Sequence, residues 1–327
     1  MDKTISIIGL DTTGQSIGLA LRQAGVEASR LGHDRNAAAA RLAQQSGAVD
    51  RVEGSLKAAA ASSPLAIVSL PASSLATTLE ELAKALPSDA VVLDASRWKQ
   101  PALDALPALR TAGVHYIGLT PAVSGDRLQA GEFGRATASA DRFRNGVLGL
   151  TLPSGTPQEA LEMALQMGSL LGAIPYFLEA GEADASTVLS EEIPALLSTA
   201  LMRAGLSEVA WREVRRTAGP TFVDMVSLGL TAPAGETARV AIEARLSTLD
   251  KIDHLLAALQ EIRRLVEAKD EAGLERAVSE ADRALRKWLN ARSRADWASE
   301  EIGQPAAPIR ESPFARLFGF RQPPPRA

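Results

Sequence analysis

The chain has 327 residues, 46% hydrophobic and 23% charged, with a net charge of −4, no cysteine and three histidines. That length accommodates two domains with real cores, and nothing in the charge points to a nucleic-acid partner. The absence of thiols excludes disulfides, thiolate catalysis and thiolate metal sites, and three scattered histidines predict no metal centre. No apolar run approaches the roughly 18 to 20 residues of a membrane span, and the N-terminus enters a strand almost at once, so a cytoplasmic protein is expected.

Thr4 to Leu10 is a nearly continuous apolar run, as expected of a central parallel strand covered on both faces. It leads into Gly9-Leu10-Asp11-Thr12-Thr13-Gly14-Gln15-Ser16, a dinucleotide-binding turn in which Asp11 stands in the place of the middle glycine. Ser16 to Gln23 reads as the following helix, closed by Ala24-Gly25, and Val26 to Gly32 as the next extended stretch. Asp34 then falls about 20 residues past the glycines, where such folds place the acid that holds a ribose hydroxyl. Arg35 beside it suits a 2'-phosphate, so NAD and NADP both stay open. Gly9, Gly14 and Ser16 are the expected phosphate cradle. A carboxylate beside a diphosphate is repulsive, by about 1 kcal/mol in water and a few times that at partial burial. The expected role of Asp11 is helix capping, in which Asp11 or Thr12 occupies amides that a phosphate would otherwise take, Thr12-x-x-Gln15 having capping-box spacing.

Ala66 to Leu70, Val91 to Asp94 and His115 to Leu119 repeat the apolar-strand pattern. Helix-like stretches such as Leu75 to Leu86 and Pro101 to Leu109 separate them. This alternation predicts an α/β fold, a Rossmann-type doubly wound parallel sheet over residues 1–153. Residues 154–293 read as an all-helical domain: Pro157 to Leu171, Glu191 to Val214, and a hairpin of Leu246 to Val266 with Leu274 to Trp288, broken near Lys269-Asp270. Residues 294–327 form an extended tail, yet three of the chain's seven phenylalanines fall between Phe314 and Phe320. Exposed aromatic clusters are a liability, so this segment is expected to dock on its own chain, over the helical domain.

The order of these motifs resembles the prephenate and arogenate dehydrogenase family of tyrosine biosynthesis over most of residues 3 to 292. Its landmarks are the Gly9 turn, Leu70-Pro71 after a strand, and Asp94 to Lys99 where the family has an Asp-x-x-Ser-x-Lys loop. Thr120-Pro121 stands where the family has His-Pro. Leu171-Gly172-Ala173, Glu182-Ala183-Asp184, Ile193-Pro194 and the terminal hairpin follow in the family's order. The resemblance implies NAD(P)-dependent oxidative decarboxylation of prephenate or arogenate by a homodimer, with Leu70 and Pro71 lining the nicotinamide side.

Several positions depart from the family. Thr120 replaces the histidine that handles the proton of the reacting hydroxyl, and a threonine cannot hold a transferred proton near neutral pH. Arg97 falls at the place of the assisting serine, with Ser96 adjacent, while Lys99 matches. Glu192 replaces a second histidine, and Val223 stands where a substrate-gripping arginine is expected. His33, His115 and His254 lie elsewhere in the chain, and Trp98 and the Arg212, Arg215 and Arg216 group read as core and as a solvated ion-pair face. Lys99, Thr120 and Glu192 are therefore the candidate catalytic residues. Three functions stay open: a dehydrogenase of the family with altered residues, a non-catalytic dinucleotide sensor or regulatory subunit, and a dehydrogenase of another hydroxy acid using Lys99 as base.

Overall fold

A computed structural model describes residues 3–129, 137–207, 209, 211–227, 232–294 and 317–318. Its strands are β1 (Thr4–Ile8), β2 (Ser29–His33), β3 (Arg51–Val52), β4 (Leu65–Val68), β5 (Val91–Asp94), β6 (His115–Pro121), β7 (Val147–Thr151) and β8 (Ile174–Phe177). They form one sheet in the order β3-β2-β1-β4-β5-β6-β7-β8, parallel except where β6 meets β7. The helices that flank it are α1 (Thr12–Gln23), α2 (Ala37–Ser46), α3 (Leu56–Ala60), α4 (Ala72–Ala85), α5 (Gln100–Thr111), α6 (Gly125–Gln129) and α7 (Gln158–Leu171).

Side chains alternate across the strands, so the sheet feeds two cores. Ile5, Ile7, Leu93, Ile117 and Leu119 join Ile17 and Leu21 of α1 on one face. Ile8, Val68, Val92 and Tyr116 join Leu75, Leu79 and Leu82 of α4 on the other. Each such side chain contributes roughly 1.5–3 kcal/mol when fully buried. The register aligns the carboxyl ends of the central strands in one row, with Ile8 opposite Val68, Val68 opposite Asp94, and Asp94 opposite Gly118. Sequence order reverses between β1 and β4, which is where open α/β sheets leave a ligand crevice.

The sheet continues past residue 153. β7 runs antiparallel to β6, and after α7 the chain returns as β8, parallel to β7. Ile174-Pro175-Tyr176-Phe177 is short and holds a proline, which a sheet accepts at its edge and which masks the strand signal in the sequence. The chain divides into two compact units, Met1–Ala130 with Thr137–Ala183 and Arg292–Ala327, and Gly131–Ala136 with Asp184–Ala291.

The second unit is helical. Here α8 (Ala180–Thr187) runs into a π-helical turn, Val188–Glu192, then α9 (Ile193–Ser207), α10 (Trp211–Thr217), α11 (Pro220–Ser227), α12 (Ala234–Glu243), α13 (Arg245–Glu267) and α14 (Glu271–Arg294). The single helix expected over Glu191 to Val214 is thus several pieces. Pro194 has no N–H for the i→i−4 ladder, and the turn before it widens so that the Ile193 amide reaches the Val188 carbonyl. The hairpin follows its expected course, reversing at Lys269, which has φ 54°, with Asp270 accepting the Gly273 amide at 2.8 Å. Among the described residues no helix is long and apolar enough to cross a membrane, and no group of three acidic or histidine side chains is placed to hold a metal ion.

In the tail, Leu317 and Phe318 are the described residues. The Phe318 ring is fully buried in the core on the α1 face of the sheet, and its carbonyl accepts the Glu27 amide at 3.0 Å. Phe318 thus docks on its own chain in the sheet unit, where docking over the helical domain was expected, while Phe314, Phe320 and the rest of the tail past residue 294 apart from Leu317 lie outside the described residues. The apolar connection between α1 and β2, with Val26 and Ala28 packed on that same core, provides the surface. Phe318→Ala should therefore cost about 3–5 kcal/mol of unfolding free energy. Urea denaturation checks this, and an unchanged midpoint would show that the ring is not part of the core in solution.

Candidate functional site

The turn after β1 is shaped by its glycines. Gly9 has φ 88°, and a Cβ there would collide with the Ser69 carbonyl; a Cβ on Gly14 would collide with the Gly9 carbonyl. Both positions are closed to side chains by the chain itself, which brings the start of α1 hard against the ends of β1 and β4.

Asp11 is the N-cap of α1. Its Oδ1 accepts the Gly14 amide at 2.8 Å and the Ser69 hydroxyl at 2.8 Å. Gln15 turns to donate to the Leu10 carbonyl at 2.6 Å, so the Thr12-x-x-Gln15 spacing forms no capping box and the cap is the aspartate. Although Asp11 keeps an open face to solvent, crowding by protein raises its pKa above the ordinary carboxylate value. The Gly14 amide, the Ser69 hydroxyl and the Arg97 charge pull the other way without cancelling that effect. A helix N-terminus of this kind is a ready anion site, and here a resident carboxylate already takes one of its amides.

Asp34 lies beside this turn, one residue past β2. Its Oδ2 accepts the Leu10 amide at 2.7 Å and its Oδ1 the Asn36 amide at 2.6 Å. Arg35 is exposed next to it. Ser16 points inward: its hydroxyl donates to the Thr12 carbonyl at 2.6 Å and accepts the Ser139 amide at 3.1 Å. Leu70 is half-buried, its amide held by the Ser96 hydroxyl at 2.9 Å, and Pro71 opens α4 from an exposed position. Sequence reasoning missed Ser69 as an Asp11 partner and left Ser96 as a substitute catalytic serine. Both sit one or two residues past the end of a buried strand, and that place was the available signal. The frame fits a dinucleotide in its sharp turn, its helix N-terminus and the acid at the end of β2; the Asp11 charge opposes it.

Lys99 is fully buried. Its Nζ donates to the carbonyls of Asp94 (3.0 Å), Ser96 (2.5 Å) and Leu119 (2.8 Å) and lies 3.9 Å from the Asp94 Oδ2. Asp94, also fully buried, accepts the Tyr116 hydroxyl at 2.8 Å and the Ser96 amide at 2.9 Å. An ammonium with its three protons directed to carbonyls braces the β5–α5 loop against β6. Arg97 is exposed on the same loop and Trp98 is buried beneath it.

Thr120 follows Leu119 directly. Its Oγ1 is buried and makes no hydrogen bond among the described residues. Glu192 belongs to the second unit, buried at the end of the π-helical turn, and Val223 lies half-exposed on α11. His33 contacts the Glu53 carbonyl at 3.0 Å, His115 lies 3.8 Å from Asp89 at the opposite end of β6 from Thr120, and His254 lies 3.7 Å from Asp250. Arg212 and Arg216 face Glu213 on the surface of α10.

Residues 17–175 match the model for the nucleotide-binding domain of prephenate dehydrogenase. The comparison with curated proteins gives no match. Among solved structures, the chain is similar to prephenate dehydrogenase from A. aeolicus in complex with hydroxyphenyl propionate and NAD+. That pair is 15% identical, with a TM-score of 0.73 over 88% of this chain and 98% of the other. Arogenate dehydrogenase from Synechocystis is 21% identical, with a TM-score of 0.65 over 87% and 99%. At such identities the likeness to the solved structures is one of fold, and the family is carried by the matched domain. Residues 17–175 thus belong to the nucleotide-binding domain family of prephenate dehydrogenase.

Proposed function

We propose that this chain is an NAD(P)-dependent dehydrogenase of the prephenate or arogenate type, acting in the cytoplasm in the biosynthesis of tyrosine. The observation that carries this is the placement of Asp34 against the β1–α1 turn at the switch point of the sheet, through the 2.7 Å bond from the Leu10 amide. Gly9 and Gly14 shape the turn that meets the diphosphate, Ser16 supports it from within, Asp34 or Arg35 meets the adenosine ribose, and Leu70 and Pro71 line the nicotinamide side. The bound dinucleotide supplies the hydride acceptor. Thr120 stands at the reacting hydroxyl, where it offers a hydrogen bond but no proton-holding base. Lys99 serves by fixing the segment that bears Thr120, and its three donated protons speak against use as a base for another hydroxy acid. Glu192 is the carboxylate assigned to the place of the second histidine. The helical half is the dimerisation and substrate domain. On α13, Leu249, Leu256, Leu259 and Val266 are 45% to 58% exposed at coiled-coil spacing, which supports a homodimer.

A non-catalytic reading is favoured by one observation, the Asp11 carboxylate on the Gly14 amide. NADH or NADPH formation from prephenate and from arogenate, each with both cofactors, separates the two. Turnover is expected with one substrate, and its absence in a folded sample that binds dinucleotide points to a sensor. Thr120→His alone should not create or restore prephenate oxidation, because Val223 still offers no charge for a substrate carboxylate; substantial turnover gained in that variant would overturn this account of the missing groups.

Asp11→Asn keeps the acceptor for the Gly14 amide and removes the charge, so dinucleotide affinity should rise about tenfold near neutral pH. Because the Asp11 pKa is raised, the wild-type chain should bind dinucleotide more tightly as pH falls through that value, while Asp11→Asn shows no such step. Calorimetry from about pH 4, the ordinary carboxylate range, up to about pH 8 decides this, and identical pH profiles for the two proteins would refute it. Leu256→Glu with Leu259→Glu should convert a dimer to a monomer in sedimentation equilibrium, whereas a dimer that persists would place the interface elsewhere.

A further inference from the structure

The loops after β1, β2, β4 and β5 border the crevice at the switch point, and the cations they carry are Arg35, Arg97 and Lys99. Lys99 directs its three protons to carbonyls, and Arg35 stands past β2 beside Asp34, at the ribose end. That leaves Arg97. Its neighbours Ala95, Ser96, Trp98 and Lys99 are all buried, so this stretch of the β5–α5 loop displays one side chain. Lys99 fixes the backbone beneath it through the Ser96 carbonyl.

Two consecutive residues after β4 link this loop to the β1–α1 turn. The Ser69 hydroxyl donates to the Asp11 Oδ1 at 2.8 Å, and the Leu70 amide donates to the Ser96 hydroxyl at 2.9 Å. Arg97 and Asp11 therefore stand on either side of one short connection. Burial raises the Asp11 pKa, and Arg97 is the charged group that draws it back down, so the guanidinium lies close enough to act on the turn. The resemblance puts Arg97 at the place of an assisting serine, but an arginine carries its charge well beyond the reach of a hydroxyl. The turn itself is short of donors. Asp11 already holds the Gly14 amide, which a phosphate takes at other helix N-termini, and its carboxylate adds repulsion.

We propose that Arg97 binds the diphosphate of the dinucleotide, supplying from the β5–α5 loop the positive charge that the Asp11-capped start of α1 no longer offers. This rests on the dinucleotide-dependent function proposed above. A guanidinium meets a phosphate with paired N–H donors as well as charge, and a side chain exposed on a braced loop reaches it without burying an ion first. Arg97 and Asp11 act on the ligand separately, one attracting and the other repelling. Their effects on affinity therefore add, and neither depends on the presence of the other.

Calorimetric titration of the full chain at about pH 8 tests this, with NAD+ and NADP+ and with ADP-ribose, which keeps the diphosphate and lacks the nicotinamide. Arg97→Gln should weaken ADP-ribose and the dinucleotide alike, by about tenfold, while Arg97→Lys keeps the charge and should stay within about threefold of the wild type. In the Asp11→Asn background Arg97→Gln should again weaken binding about tenfold, which returns the double variant to near the wild-type affinity. A second readout is the pH at which wild-type affinity rises. Without Arg97 the Asp11 pKa climbs further, so that step should move to higher pH in Arg97→Gln, Asp34 and Arg35 beside the turn being the same in both proteins. Equal affinities in the wild type and Arg97→Gln overturn the proposal and leave the dinucleotide reading standing. So does a loss confined to the dinucleotide, which puts Arg97 at the nicotinamide, or a loss that vanishes with Asp11→Asn, which makes Arg97 a partner of Asp11 alone. A pH step that does not move refutes the closeness of the two side chains and the proposal with it. A wild type that binds none of the three ligands overturns both this proposal and the dinucleotide reading.

Discussion

One buried ammonium holds together the parts of the sheet on which both loops of the crevice depend. Lys99 gathers the carbonyls of Asp94, Ser96 and Leu119, so the end of β5 and the end of β6 cannot separate without exposing a charge inside the protein. Desolvating such a charge costs several kcal/mol, and only a complete set of acceptors with a nearby carboxylate offsets it. Asp94 and the Tyr116 hydroxyl complete that set. From this knot, Ser96 reaches back to the Leu70 amide, and Thr120 follows Leu119 directly. The Leu70 loop and the Thr120 position are thus fixed by one network.

On the other side of the switch point the constraint is Asp11. The same feature that makes a helix N-terminus attractive to phosphate, its unpaired amides and partial positive charge, makes it attractive to a carboxylate of its own chain. Asp11 stabilises the start of α1 and ties it to Ser69 on the next loop, which stiffens the crevice. The exposed Arg97 nearby partly balances the Asp11 charge. The chain keeps the frame of a dinucleotide fold while setting a local stabilising contact against ligand affinity.

The elements most legible in the sequence are those whose pattern is local. Buried parallel strands such as β1 and β5 show as apolar runs, and the α13–α14 hairpin shows as two stretches of helical periodicity around Lys269. Elements that exist only through partners are harder to see. The short edge strand β8 carries a proline, β7 pairs antiparallel where the pattern suggested an ending, and the turn at Val188–Glu192 widens because of Pro194 one turn later. The tail follows the same logic. Its aromatic content predicts docking, while the surface that receives Phe318 is assembled from the α1–β2 connection and the sheet core.

The sequence by itself determined the doubly wound sheet, the glycine turn with its acid at Asp34 and the helical second half. Each of these is written in residue type and spacing along one stretch of chain. Only the tertiary structure decided that Asp11 caps with Ser69 as its partner, that Lys99 is a brace, that Ser16 faces inward and that Thr120, Gly149 and Tyr176 form one row. Those outcomes rest on hydrogen bonds and strand pairings between distant segments. Their energies depend on burial and geometry, which no local pattern encodes.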